Sequence, residues 1–377
     1  MASETMTGAG VAAPSARAEK AASTDAVGAV DIEVRGLYKI FGPRGEDFVD
    51  AVKGGLGKQE LQERHGHVLG LKDINLTMPA GSIQVVMGLS GSGKSTLIRH
   101  VNRLIDPTVG EMLVGGDDVC RMGPRELRRF RRERTAMVFQ KFALLPHRTV
   151  IDNVVYGLEI QGVDKSTRED SARRWIERVG LAGFEDNYPN QLSGGMQQRV
   201  GLARALANDA PLLLMDEAFS ALDPLIRMDM QSILLELQQE LHKTIVFITH
   251  DLDEALRLGD RIAILRDGEI IQQGTGQDIV LRPADDYIQS FVKEVNRGRV
   301  VLVESIVVPG SAPDSTLELG RGTHLEDAAR TMTEAGQRAA NVVDHEGAPL
   351  GHVELDATVA AMVAREDAFR EPPPQTA

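Results

Sequence analysis

The pattern of this chain predicts an α/β fold around a largely parallel sheet, and three observations carry that prediction. Short apolar runs at 82–87, 135–139, 212–215, 244–248 and 262–265 alternate with helical stretches, as parallel strands joined by crossovers do. The first run opens directly into Gly88-Leu89-Ser90-Gly91-Ser92-Gly93-Lys94-Ser95, which fits G-x-x-x-x-G-K-[ST] at every fixed position. The run Leu212-Leu213-Leu214-Met215 ends in two carboxylates, Asp216 and Glu217, at the carboxyl edge where such sheets bind ligands.

Taken in order, residues 1–30 are rich in Ala, Ser, Gly and Thr and read as a disordered tail. Asp31-Ile32-Glu33-Val34 alternates as a strand does. Residues 44–68 are rich in glycine and charge, with a helical patch at 59–64, and read as an insertion between two strands. A helix over 94–104 starts at the glycine-rich turn. Residues 164–179 are charged and helical, and 196–206 form the helix that follows Leu192-Ser193-Gly194-Gly195. Near 292–298 the composition shifts: beyond it acids outnumber arginines, and lysine disappears after Lys293. The expected organisation is a disordered tail at 1–30, an α/β nucleotide-binding domain at 31–295, a small α+β unit at 296–365, and a second disordered tail at 366–377.

Bulk composition narrows the function. The 377 residues are 42% hydrophobic, enough to bury a large core and a second, smaller one. A net charge of -13 argues against general nucleic-acid binding. The single cysteine, Cys120, allows no internal disulfide and fits a reducing compartment. No apolar run approaches the roughly 18 residues that a membrane-spanning helix needs. The N-terminus has no apolar segment behind a basic one, so a signal peptide is not expected.

The glycine-rich turn reads as a phosphate loop. Its glycines let backbone N–H groups turn inward at a helix N-terminus, where anions bind. Lys94 supplies a point charge to the β- and γ-phosphates, and Ser95 a hydroxyl to Mg²⁺. A dinucleotide fingerprint is excluded, because Thr96 stands where G-x-G-x-x-G requires glycine. Asp216 suits Mg²⁺ binding through water, and Glu217 suits a general base that polarises the attacking water. The basic run Arg125, Arg128, Arg129, Arg131, Arg132 and Arg134 is interleaved with Glu126 and Glu133 and reads as a solvated helix face. Cys120 has no ligand cluster around it, and no His/Cys set has zinc spacing.

Phosphate loop, LSGG-type signature and acidic strand, in this order, resemble the ATP-binding subunit of an ABC transporter over about residues 31–295. The resemblance implies a P-loop NTPase fold, an ABC ATPase cassette with a helical subdomain, acting on ATP with Mg²⁺. It places Gly88, Ser90, Gly91, Ser92, Gly93, Lys94, Ser95 and Thr96 around the phosphates. It makes Gln140 the switch glutamine that touches Mg²⁺ and the water, and His250 the histidine that hydrogen-bonds the γ-phosphate. Phe41 matches the aromatic that stacks on adenine, with Tyr38 as the competing candidate. Ser193, Gly194 and Gly195 would grip the γ-phosphate of ATP bound to a second copy, and Asp223 would also serve the nucleotide. The implied catalytic set is Lys94, Gln140, Glu217 and His250, and the implied metal set is Ser95, Gln140 and Asp216.

Several blocks narrow the resemblance. Phe142-Ala143-Leu144-Leu145-Pro146-His147 looks like importers, and Met87-Gly88-Leu89-Ser90, Met215-Asp216-Glu217-Ala218-Phe219-Ser220-Ala221-Leu222-Asp223 and Asp251-Leu252-Asp253-Glu254-Ala255 are similar to importers of the glycine betaine/proline type. That kinship implies import of glycine betaine, proline, choline or a related quaternary amine. It also implies a homodimer, two transmembrane permease subunits, a periplasmic or extracellular substrate-binding protein, and a peripheral position on the cytoplasmic face of a bacterial inner membrane. The C-terminal region carries a helix-like 325–329, a strand-like 340–344, a turn at Gly347, a second strand at 350–353 and a closing helix. It resembles a single cystathionine-β-synthase-type (CBS) unit. The rival expectation is a soluble ABC ATPase in nucleic-acid or translation work; the single cassette, the acidity and the lack of a heptad array stand against it.

Overall fold

A computed structural model of the chain describes residues 28–140, 142–220, 222–312 and 315–363. Most of the two expected tails, together with Ala221, Asp314, Glu366 and Asp367, lies outside the described residues. Packing divides the chain between Ile279 and Val280, upstream of the composition shift near 292–298. Residues 280–295 therefore group with the C-terminal unit rather than with the nucleotide-binding domain. Composition records residue usage, whereas the division follows which side chains touch, and the two need not coincide.

The larger unit begins with β1 (Ile32–Phe41), α1 (Val49–Lys53), α2 (Lys58–His65), β2 (Val68–Met78), β3 (Ile83–Met87) and α3 (Lys94–Val101). It continues with β4 (Val109–Val114), β5 (Asp117–Asp118), α4 (Pro124–Glu133), β6 (Thr135–Phe139), α5 (Val150–Gln161), α6 (Lys165–Arg178) and α7 (Gly194–Ala207). Then come β7 (Leu212–Asp216), α8 (Pro224–Leu241), β8 (Thr244–Thr249), α9 (Leu252–Leu258), β9 (Arg261–Arg266), β10 (Glu269–Gly274) and α10 (Gly276–Leu281).

The core is a six-stranded sheet of order β10-β9-β3-β8-β7-β6. Its strands β9, β3, β8, β7 and β6 are parallel to their neighbours, and β10 closes one edge antiparallel. Strands β3, β7 and β8 are buried at every residue, as a parallel sheet covered on both faces requires. The second sheet, β2-β1-β4-β5, is antiparallel throughout. Strand β2 alternates buried and exposed residues along most of its length, so one of its faces meets the core. Leu97, Ile98 and Val101 of α3 join side chains of both sheets in one apolar cluster. The expected helix over 94–104 stops at Val101, because Arg103 adopts a left-handed φ of 50°.

The predicted insertion contains two helices, α1 and α2, where the sequence indicated only the second. They form a satellite core in which Val49, Val52 and Leu61 pack on Tyr38, Ile40 and Leu69. Helices α5, α6 and α7 pack on one another as a helical layer. Caps define their starts: Thr149 accepts from Asp152 N, Asp164 from Thr167 N, and Ser193 from Met196 N. The arginine run lies on α4, where Glu133 pairs with Arg129 and Arg132 and Arg131 caps the carbonyl of Asn102.

The smaller unit has α11 (Asp286–Val292), β11 (Glu318–Gly320), α12 (Leu325–Glu334), β12 (Ala339–Val343), β13 (Pro349–Glu354) and α13 (Leu355–Val363). Its sheet runs β11-β12-β13, with β11 parallel and β13 antiparallel to β12. Leu319, Leu325, Ala328, Met332, Ala340, Val342 and Val353 fill its core. Three of its acids are paired: Glu304 with Arg321, Glu326 with Arg299, and Asp327 with Arg330. The excess of acids over arginines in this region is thus partly offset by ion pairs. Among the described residues no helix is long and apolar enough to cross a membrane.

Truncating a side chain in the main cluster tests this packing. Ile98 is fully buried there, so Ile98→Ala should cost about 2–5 kcal/mol in urea unfolding. A loss below about 1 kcal/mol would mean that α3 is not seated on this core.

Candidate nucleotide site

Four neighbouring parallel strands end level with one another. Phe139 is in register with Asp216, Asp216 with Ile248, and Met87 with Thr249. The next residue of each strand is a sequence-predicted site residue: Gly88 after β3, Gln140 after β6, Glu217 after β7 and His250 after β8. Their convergence follows from the sheet register.

Glu217 is the meeting point. Its Oε2 accepts from Gln140 Nε2 at 3.0 Å. Its Oε1 is 3.8 Å from Lys94 Nζ, and its Oε2 is 3.7 Å from His250 Nδ1. Its backbone is left-handed, with φ of 47°, and its N–H donates to Ile248 O at 3.1 Å. A non-glycine residue in that region costs about 1–3 kcal/mol, a strain that recurs at functional sites. Next to it, Asp216 is buried and accepts from Ser95 Oγ at 2.8 Å and from Arg99 at 3.2 Å. Arg99 was not singled out by its sequence position; it lies one helical turn after Ser95 on α3.

The loop 88–95 is a tight cradle. A Cβ on Gly88 would lie 2.2 Å from Leu265 O, and one on Gly93 would lie 2.7 Å from Gly70 O. Lys94 Nζ is buried and donates to Gly88 O at 2.7 Å and Leu89 O at 3.0 Å. Burial pushes its ammonium below the ordinary lysine range, while the charges of Glu217 and Asp216 oppose that shift. Among the described residues, Ser92 Oγ is buried without a hydrogen-bond partner. The Thr96 carbonyl lies 2.7 Å from His100 Nδ1, and burial lowers His100 to about 4. Mg²⁺ takes one or two protein oxygens plus waters and phosphates. The Ser95–Asp216 pair, Gln140 and the orphaned Ser92 hydroxyl therefore fit a metal–phosphate ligand.

The two candidate aromatics separate cleanly. Tyr38 is buried in the satellite core, and burial raises its phenol above the ordinary range. Phe41 is exposed and lies over Gly70, where a Cβ would come within 2.7 Å of its ring. Ser193, Gly194 and Gly195 open α7 at the surface. Among the described residues, no hydrogen bond joins this signature to the phosphate loop of the same chain. Asp223 caps α8 by accepting from Ile226 N at 3.1 Å, and Ile226 lies against Gly195. Cys120 packs beside the main core, and burial raises its thiol to about 11.

A profile described as "ABC transporter" matches residues 71–220. The chain is 48% identical over 301 residues to the glycine betaine/proline betaine transport system ATP-binding protein ProV of Escherichia coli (strain K12), covering 77% of this chain and 75% of that one. This chain belongs to the ABC transporter ATP-binding family. The cassette is also 52% identical over 278 residues to the glycine betaine transport ATP-binding protein OpuAA of Bacillus subtilis (strain 168), covering 74% of this chain and 66% of that protein. A solved dimeric bacterial ABC transporter cassette superposes with a TM-score of 0.56 at 32% identity, covering 65% of this chain and 98% of its own. The fold class is therefore the ABC ATPase cassette, and the cassette binds ATP with Mg²⁺ and hydrolyses it.

One link in the cassette carried no sequence signal. Phe142 and Ala143 follow Gln140 with left-handed φ of 51° and 48°. Arg204 of α7 donates to both of their carbonyls, at 3.0 Å and 2.7 Å. The helix that begins at the signature thus holds the strained loop that carries Gln140. In the sequence Arg204 is one arginine in a helical run, and only the fold brings it to that loop. Arg204→Met should lower unfolding free energy by about 1.5 kcal/mol, the low end for bonds from a charged donor because the side chain is half-buried. Arg204→Lys should recover part of this loss, and equal stability of all three proteins would remove the link.

Proposed function

We propose that this cassette powers import of a small quaternary amine, glycine betaine, proline betaine or a close relative, through membrane-spanning partner subunits. The observation that carries the reading is the Glu217 carboxylate, which meets Lys94, Gln140 and His250 at the sheet edge. Relatives named for glycine betaine transport match across the cassette, which supports the substrate class. The alternative of a soluble ATPase in nucleic-acid or translation work is not favoured by these relatives.

The residue roles follow from position. Phe41 stacks on the base, and the loop 88–95 turns its N–H groups to the phosphates with the Lys94 charge beside them. Ser95, Asp216 and Gln140 would hold Mg²⁺, which would supply neutralising charge at the phosphates. Glu217 orients the attacking water and takes its proton, and His250 donates to the γ-phosphate oxygen. Ser193, Gly194 and Gly195 lie at the surface, and among the described residues Ser193 Oγ is engaged only in capping α7, which leaves them able to grip the nucleotide of a second copy. The working unit is then a homodimer under two permease subunits, on the cytoplasmic face of the bacterial inner membrane, fed by a substrate-binding protein outside.

Residues 296–365 act as a CBS-like regulatory unit. The strand and helix order of the smaller unit supports this, and Val359 and Val363 leave apolar surface on α13 for a twin copy to cover. Its remaining acids give a surface whose repulsion from an anionic membrane is screened over about 8 Å at physiological ionic strength.

Glu217→Gln should lower ATP turnover by about 10²- to 10⁴-fold while ATP still binds, and an ATP-dependent dimer should accumulate by light scattering. Near-normal turnover would sink the base assignment. Reconstituted with its membrane partners, a chain ending near Asn296 should transport glycine betaine with a flattened response to salt. Identical salt profiles for the two lengths would end the sensor reading and leave the motor intact.

A further inference from the structure

The insertion between β1 and β2 reaches the phosphate loop from outside. Lys58 is the first residue of α2, and its Nζ lies 3.4 Å from Gly91 O and 3.5 Å from Asp267 Oδ1. Asp267 and Gly268 form the turn between β9 and β10, both with left-handed φ, 52° and 88°. Gly268 N in turn donates to Ser92 O at 3.0 Å. Two consecutive carbonyls of the phosphate loop, Gly91 and Ser92, are therefore held from its outer side. A planar trans peptide points its N–H opposite its C=O. Holding those two carbonyls outward turns the N–H groups of Ser92 and Gly93 toward the inside of the loop, where phosphates bind. Ser92 N itself donates within the loop, to Leu89 O at 3.2 Å.

The placement of Lys58 is built rather than incidental. Leu61, one turn along α2, is fully buried in the satellite core. The ends of the insertion are tied by His67, whose ring nitrogens lie 2.7 Å from His65 O and 2.8 Å from Pro43 O, and whose ring packs on Phe48. The same insertion begins just after Phe41 and returns to pair with it at Val68.

We propose that the insertion is an external brace on the nucleotide site, and that Lys58 is a positioning residue that sets the affinity of the phosphate loop for adenine nucleotides. The proposal rests on the reading of 88–95 as the phosphate cradle. Lys58 acts through the loop, by fixing the Gly91 carbonyl, and through Asp267, by tying the β9–β10 turn to the insertion. The pair is partly exposed, so its effect is modest and sensitive to salt.

The test is equilibrium binding of ADP and steady-state ATP hydrolysis by the full chain. Lys58→Met keeps the side-chain stem and removes the charge. It should weaken ADP binding about fivefold at low salt and raise KM for ATP by a similar factor with kcat retained. Lys58→Arg should restore affinity, and Asp267→Asn should reproduce a smaller part of the loss. The ratio between wild type and Lys58→Met should shrink as salt rises toward 1 M, where charges are screened beyond about 3 Å. Wild-type affinity in Lys58→Met at low salt would overturn the proposal, as would a loss that is equal at every salt concentration. If Lys94→Ala binds ADP as tightly as wild type, the cradle reading itself fails and the brace falls with it.

Discussion

Parallel strands in register must finish at a common edge, and everything this cassette does at its nucleotide site depends on that constraint. Neighbouring strands β3, β8, β7 and β6 stop together, so residues that lie far apart in the chain emerge side by side. Strands β3, β7 and β8 are buried along their whole length and mostly apolar, so the chemistry collects at their ends. Their common edge is what brings a carboxylate, an amide, an ammonium and an imidazole within a few ångströms of one another. A slip of one residue in any pair would point the next side chain to the opposite face and disperse the cluster.

Much of this was legible because it is local. A buried strand, a glycine turn and a helix start can be read from consecutive residues, and the start of α3 at Lys94 and strand β6 were found where the pattern placed them. The acid pair was legible for the same reason, since an apolar run ending in Asp216 and Glu217, downstream of a phosphate loop, reads as a buried strand that delivers charge to a sheet edge. The choice between Phe41 and Tyr38 was not legible. Both sit on one strand three residues apart, and only the satellite core under Tyr38 decides which ring is free.

What the sequence hid is non-local. Arg99, Arg204 and Lys58 look like ordinary surface cations until the fold brings Asp216, the Phe142–Ala143 carbonyls and Gly91 to them. Helix α1 escaped notice because five residues are too few to establish a period. The arginine run around α4 was legible as a solvated face, because the interleaved glutamates are visible in the sequence, and Glu133 does pair with Arg129 and Arg132.

Cys120 has a practical consequence. The chain's sole thiol is half-buried beside the core, and burial raises its pKa to about 11. Thiolate is the reactive species, so the raised pKa slows this sulfur toward alkylating reagents at neutral pH. A cysteine introduced on an exposed face, at the signature or on the insertion, would take up a maleimide fluorophore or spin label faster than Cys120. The fold thus favours labelling of such a position over its own sulfur when the motion of its parts is measured.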